Sequence, residues 1–176
     1  RALTTPIQFG ETFLGAELAM QVRAQAAAVP LRRAGVRRVG ELDDAIRSDE
    51  LAWVTPELFP EAVAAFDALM TQLNERAWLG LRRFDLQLAR YQPGAKYVRH
   101  RDAFPGDDNR RVTAIVYLNP TWTEDDGGKL RLFVEPVIEL EPRLDRLVVF
   151  RSELIEHEVL PAHAERWALT AWYSAR

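Results

Sequence analysis

The sequence has no cysteine and only three histidines among its 176 residues. Without cysteine there can be no disulfide framework, no Cys-ligated zinc, no iron–sulfur cluster, no thiolate haem and no Cys nucleophile. Any bound metal must be held by His, Asp, Glu or neutral oxygen donors, and a histidine site must use most of the three. Lysine is scarce as well: of 23 Lys+Arg residues only Lys96 and Lys129 are lysine. With the high alanine content, that reads as a coding bias rather than a function. No charge of one sign dominates, since 26 Asp+Glu leave a formal net charge of −3. With a pI of about 5.7 there is no global nucleic-acid footprint, and no nucleic-acid partner is expected. The pairs Arg32–Arg33 and Arg37–Arg38 read as solvated loop. No apolar run approaches the ~18 residues of a transmembrane helix, and no leader pattern is visible. A cytoplasmic protein with no membrane partner is expected. The sequence opens on Arg1 and not on Met, which leaves the native start open, and no residue reports the oligomeric state.

What is present suits one globular domain over 1–176. Hydrophobic residues make up 48% of the chain, enough for a core and too many for disorder at this net charge. The character changes near residue 84. Residues 1–83 read as helical support and a loop. A first helix is expected over about 14–29, with Leu18, Val22 and Ala26 as its buried stripe and Pro30 as its stop. A second is expected after Thr55-Pro56-Glu57, with Thr55 as cap, Pro56 in the first turn and Gly80 at its end. Val63, Phe66, Leu69, Met70, Leu73 and Ala77 recur at helical spacing and form its core face. Residues 31–54 read as a loop or short hairpin, ending in a strand near Trp53. Residues 84–176 read as β. Short segments at 84–91, 112–118, 129–134, 137–140, 146–150, 157–160 and 166–173 are separated by turn chemistry at Gln92-Pro93-Gly94, Pro105–Asn109 and Asp125–Gly128. The expected class is mainly β, a sandwich, jelly roll or barrel buttressed by N-terminal helices.

One constellation carries chemistry. His100 and Asp102 follow an extended stretch at 96–98, so they can share one side while Arg101 points away. His157 opens a later strand. Two histidines and one carboxylate with open positions form the facial triad of non-haem Fe(II) oxygenases. His100-Arg101-Asp102 also spells the start of a protein-kinase catalytic loop. That loop needs Asn where Asp107 stands, and no glycine-rich phosphate loop is present. By alternation Arg166, Ala168, Thr170 and Trp172 face one way and Trp167, Leu169, Ala171 and Tyr173 the other. With His157 and Arg166 on adjacent strands, the guanidinium would point into the metal pocket. A buried Arg needs an anion, and its fork fits a carboxylate; Thr170 could add a hydroxyl donor. His163, in a turn, reads as a surface residue. Asp125-Asp126 reads as a solvated turn, and Glu156 and Glu158 point away from the metal side.

With His100-x-Asp102, His157 and Arg166 in place, the chain resembles the 2-oxoglutarate- and Fe(II)-dependent oxygenases. Within them it resembles the prolyl 4-hydroxylases of the hypoxia-inducible-factor type and their bacterial relatives. The matching stretches are FLG at 13–15, IRSD…W at 46–53, YQPG at 91–94, YVRHRD at 97–102, VTAIVYLN at 112–119, GGKLRLF at 127–133, DRLVVF at 145–150, HEVLPA at 157–162 and RWALTAWY at 166–173. The resemblance implies a double-stranded β-helix (jelly-roll) core and Fe(II) held by His100, Asp102 and His157. It also implies 2-oxoglutarate with its far carboxylate on Arg166 and Tyr117, beside Tyr91 and between apolar walls at Ile115 and Leu130. Trp172 and Arg110 match residues near the substrate, and Arg47 and Asp49 match the loop that closes over a bound peptide. The implied activity is a dioxygenase that consumes O2 and 2-oxoglutarate, yields succinate and CO2, and hydroxylates a proline in a protein or peptide substrate. Elongation factor Tu is a first candidate substrate in a bacterium, and ascorbate a candidate accessory reductant.

Three departures bear on this. The Tyr91–His100 segment is one residue shorter than in the animal enzymes, the 31–54 loop diverges, and Arg166 stands where collagen-type enzymes generally use Lys. Rival readings are an oxygenase of a free amino acid or other small molecule, and a non-catalytic metal- or 2-oxoglutarate-binding sensor. Groove shape discriminates the first and turnover the second. The ligand set leaves metal identity open, since Mn, Co, Ni or Zn can replace Fe.

Overall fold

The structure is a computed structural model and describes residues 6–35, 42–103 and 109–176. In chain order its elements are β1 (Ile7–Gly10), α1 (Ala16–Ala26), β2 (Arg32–Arg33), β3 (Glu50–Val54), α2 (Pro60–Ala77), β4 (Arg83–Tyr91), β5 (Tyr97–His100), β6 (Arg110–Tyr117), β7 (Leu130–Leu132), β8 (Ile138–Leu140), β9 (Leu147–Arg151), β10 (His157–Val159) and β11 (Arg166–Ser174). The strands form two antiparallel sheets. The larger runs β1-β9-β6-β11-β4-β3-β2 and the smaller β5-β10-β7-β8. From β4 onward the chain repeatedly crosses from one sheet to the other, which is the jelly-roll pattern expected from the sequence.

Alternation along β11 decides the layering. Trp167, Leu169, Ala171 and Tyr173 are buried in one cluster with Val22 and Ala26 of α1 and Phe66, Leu69 and Leu73 of α2. The helices thus cover the outer face of the larger sheet. The other residues of β11 face the smaller sheet, where Ala168 joins a second cluster with Tyr91, Ile115, Tyr117, Leu130 and Leu132. Strands buried on both faces are nearly continuous apolar runs, as in β6 and β11.

Two local expectations are corrected. Helix α2 begins at Pro60, not after Thr55; the Leu58 N–H donates to the Thr55 carbonyl at 3.0 Å, so Thr55–Leu58 is a turn. Pro56 suits the second position of that turn, while Pro60 suits the first turn of the helix. The helix also ends before Gly80. Trp78 takes the left-handed conformation at φ 55°, and its N–H donates to the Asn74 carbonyl. The Asn74 amide then clamps the Leu81 backbone from both sides at 2.8 and 2.7 Å, so a side chain makes the exit that glycine was expected to make. The short β1 was not foreseen. Of the described residues of 31–54, β2 pairs antiparallel with β3 at the sheet edge, and Arg32 and Arg33 are exposed there. The Arg37–Arg38 pair and residues 105–108 of the expected turn lie outside the described residues.

Two motifs far apart in sequence meet in one device. Asp145 has φ 65°, and its carboxylate accepts from Leu14 N at 2.6 Å and Gly15 N at 2.8 Å. An anion at the start of α1 complements its dipole and ties the helix to the larger sheet. Among the described residues no helix is long and apolar enough to cross a membrane.

Candidate active site

Strand register assembles the candidate ligands. In the smaller sheet β10 pairs with β5 so that His157 lies directly opposite His100. Cross-strand partners present side chains on the same face, and the two rings sit 4.3 Å apart. Asp102 follows β5 by two residues, and its Oδ1 lies 3.3 Å from His100 Nε2 and 3.5 Å from His157 Nε2. The three ligand atoms all lie within 4.8 Å of one another.

The remaining contacts leave the metal-facing atoms free. His100 Nδ1 lies 2.7 Å from the Val98 carbonyl and His157 Nδ1 3.3 Å from the Ile155 carbonyl. A carbonyl only accepts, so each Nδ1 carries a proton, and once Nε2 gives up its own proton it presents a lone pair while Nδ1 keeps its hydrogen. That tautomer is the one a metal requires. Burial pushes the Asp102 carboxyl up, but His157 and His100 outweigh it and hold the group well below the usual carboxylate range. The residues present fit a divalent cation with three protein donors.

Arg166 faces this cluster from the opposite sheet. The condition of adjacent strands for His157 and Arg166 is not what brings them together: β10 neighbours β5 and β7, whereas β11 lies between β6 and β4. The two residues reach the same cleft because the sheets face each other. Arg166 is 2% exposed and has no carboxylate partner among the described residues. Its Nε donates to the Gly128 carbonyl at 2.8 Å, which leaves the two terminal nitrogens for a ligand. The guanidinium sits 4.9 Å from the Tyr91 ring and 5.0 Å from the Tyr117 ring. Tyr91 is the cross-strand partner of Arg166, so the shorter segment before His100 leaves it in the pocket. The buried Tyr117 hydroxyl has no hydrogen-bond partner among the described residues. Burial raises both phenols despite the nearby cations, so they are neutral donors. A buried cation beside an unpartnered donor is a cradle for a carboxylate, and 2-oxoglutarate fits it.

The other expected site residues fall along one cleft of about 870 Å³, lined by Ile115, Leu130, Thr170, Trp172, Arg110, Arg47 and Asp49 among others. Arg110 stacks over Trp172 at 4.2 Å. Arg47 holds the buried Asp49 in a two-point ion pair, with Nε and Nη2 at 2.8 and 2.7 Å from its two oxygens. Arg47 also lies 4.3 Å over the Tyr97 ring, which stacks on His100 at 3.6 Å. Tyr97, Thr113 and Ser152 were missed by the sequence reading. Thr113 carried a signal, since it alternates with Ile115 and Tyr117 on the inward face of β6. His163 is exposed in its turn, with Nδ1 on the Asp125 carbonyl. Asp125 and Asp126 form a short 3-10 turn closed by Thr123. Glu156 pairs with Arg99 and Arg101, and Glu158 with Arg131, both turned away from the cleft.

Residues 86–174 match the 2OG-Fe(II) oxygenase superfamily. Over 85 residues the chain is 47% identical to Egl nine homolog 1 of Rattus norvegicus, covering 46% of this chain and 25% of that protein. The chain therefore spans well under two thirds of that relative. A Pseudomonas putida prolyl-4-hydroxylase structure has 38% identity and a TM-score of 0.89, covering 98% of this chain and 94% of that one. A prolyl hydroxylase from Trichoplax adhaerens, solved with a hypoxia inducible factor oxygen degradation domain peptide fragment, has 29% identity and a TM-score of 0.89. That match covers 98% of this chain and 84% of the other.

Proposed function

The chain belongs to the 2OG-Fe(II) oxygenase superfamily, and from that premise we propose that it hydroxylates a prolyl residue in a protein or peptide substrate. The observation that carries this reading is the cleft itself, with two histidines and an aspartate on one wall and, on the other, a buried arginine that has no carboxylate partner among the described residues. Fe(II) would be held by His100, Asp102 and His157 and, with 2-oxoglutarate and O2, supplies the oxidising power for C–H hydroxylation, with succinate and CO2 as coproducts. Arg166 binds the far carboxylate of 2-oxoglutarate through its terminal nitrogens, and the Tyr117 hydroxyl donates to the same group. Tyr91 flanks it. Ile115 and Leu130 wall the cosubstrate and exclude water, and Thr170 adds a polar edge. Arg110, Trp172 and the Arg47–Asp49 loop meet the substrate.

The length of the cleft favours a peptide over a free amino acid. Its lining includes both ends of β4, Arg83 and Tyr91, and both ends of β11, Arg166 and Ser174. At about 3.4 Å per residue, nine-residue strands span roughly 27 Å. That room suits an extended chain segment. The reading treats 1–176 as one oxygenase domain, acting in the cytoplasm.

The test is to incubate Fe(II)-loaded protein with 2-oxoglutarate, O2 and proline-containing substrates, elongation factor Tu among them. Succinate and one added oxygen on a proline are expected. Succinate at background with metal occupancy verified would overturn the reading.

A further inference from the structure

Asp102 has two carboxylate oxygens, and they have different surroundings. Oδ1 is the one that faces both histidine Nε2 atoms, at 3.3 and 3.5 Å. Oδ2 instead accepts from the Thr113 hydroxyl at 2.8 Å. Thr113 Oγ1 lies in turn 2.8 Å from Ser152 Oγ. Thr113 and Ser152 are both 0% exposed, so water does not compete for these bonds.

The proton inventory fixes the direction of the chain. A metal-binding carboxylate is ionised and only accepts. The single hydroxyl proton of Thr113 therefore points at Asp102. Ser152 must then donate to Thr113 Oγ1. The order is Ser152 to Thr113 to Asp102, with each proton used once.

Thr113 stands in a central strand, whereas the ligand Asp102 stands outside regular structure. Asp102 lies in an irregular segment after β5. Thr113 lies in β6, between β9 and β11, opposite Phe150 on one side and Trp172 on the other. Ser152 follows β9, and its N–H donates to the Arg111 carbonyl at 3.1 Å. The larger sheet thus holds, through two hydroxyls, a carboxylate carried by the loop after a strand of the smaller sheet.

We propose that Thr113 and Ser152 form a buried hydroxyl relay that positions Asp102, occupying Oδ2 so that Oδ1 alone is offered to a divalent metal. This rests on reading His100, Asp102 and His157 as metal ligands. Binding through one oxygen leaves more of the metal's coordination positions open than binding through two. Both hydroxyls are positioning groups; neither touches the metal or a substrate.

The experiment uses the full chain and Mn(II), with affinity measured from the electron paramagnetic resonance of the free ion. Melting without metal is followed in parallel. Thr113→Val keeps the shape and removes the hydroxyl. It is expected to weaken Mn(II) binding about tenfold, the low end for partners that orient a metal ligand. Thr113→Ser keeps the hydroxyl and should restore most of the affinity and the wild-type spectrum of the bound ion. Ser152→Ala should show a smaller loss, because Thr113 still donates to Asp102. Wild-type affinity in Thr113→Val overturns the proposal, as does Thr113→Ser as weak as Thr113→Val. If Thr113→Val does not fold, Ser152→Ala decides, and unchanged affinity there removes the relay. If wild type binds no Mn(II), or His157→Ala binds it equally well, the ligand reading itself fails.

Discussion

Replacing Tyr117 by phenylalanine should stabilise the protein and weaken its hold on 2-oxoglutarate. The Tyr117 side chain is 0% exposed and its hydroxyl has no hydrogen-bond partner among the described residues. A buried donor left unpaired costs about 1–3 kcal/mol. Phenylalanine fills the same space without that group, so the free protein should gain about 1–2 kcal/mol. For a domain of this size, that raises the melting temperature by about 2–8 °C. Binding moves the other way. A hydrogen bond to a charged group contributes about 1.5–3 kcal/mol, so losing it should weaken 2-oxoglutarate binding about tenfold or more. Burial raises the phenol above its ordinary value, so the donor is neutral and protonated across the assay range. Calorimetric melting of the free protein and titration calorimetry of 2-oxoglutarate into Mn(II)-loaded protein measure the two halves. Saturating 2-oxoglutarate should erase the melting-temperature gain, since the ligand partners the hydroxyl in wild type only. Unchanged affinity would show that the hydroxyl does not meet the cosubstrate. A lower melting temperature would show that it is satisfied in the free protein.

Three further outcomes follow from the same cleft and its frame. Arg166→Ala should leave Mn(II) affinity intact and weaken 2-oxoglutarate by about 3–5 kcal/mol, as when one member of a buried charge pair is removed; titration of each ligand separates the two. Gly128→Ala places a Cβ 3.0 Å from Arg166 Cδ and 3.2 Å from the Trp122 ring at a φ of 65°. It should cost about 1 kcal/mol of stability from backbone strain and a larger fold-loss in 2-oxoglutarate affinity, read by melting and titration together; a stability loss alone would confine Gly128 to the turn. Asp145→Ala removes the acceptor for Leu14 and Gly15 and should cost about 2 kcal/mol, or about 4–8 °C in melting temperature, with both ligand affinities unmoved.

Period-two alternation made the second half of the chain legible. It assigned Trp167, Leu169, Ala171 and Tyr173 to one face and Arg166, Thr170 and Trp172 to the other, and the structure divides them the same way. Alternation says nothing about which strand lies beside which. Whether His157 stands next to Arg166 was open for that reason: the pairing of His157 with His100, 57 residues away, is set by the crossings between sheets. The end of α2 failed for a different reason. Glycine is the default for a left-handed exit, but the Asn74 amide bonded to both sides of Leu81 fixes the exit, leaving Trp78 in the left-handed conformation. A side-chain clamp of that kind has no spacing signature.

Thr113 marks the boundary between what alternation reaches and what it does not. Extending the inward set of β6 from Tyr117 through Ile115 arrives at Thr113, so its direction was readable. Its role was not, because a threonine in a strand is ordinary β-former chemistry. The role appears only with its two partners, one 11 residues away and the other 39. Both partners lie at chain reversals, Asp102 after β5 and Ser152 after β9, where sequence pattern is weakest. A polar residue at an inward position of a central strand is still a pointed observation, since a buried hydroxyl must find an acceptor. Asking what it bonds to leads from the core to the metal site without reference to the ligands themselves.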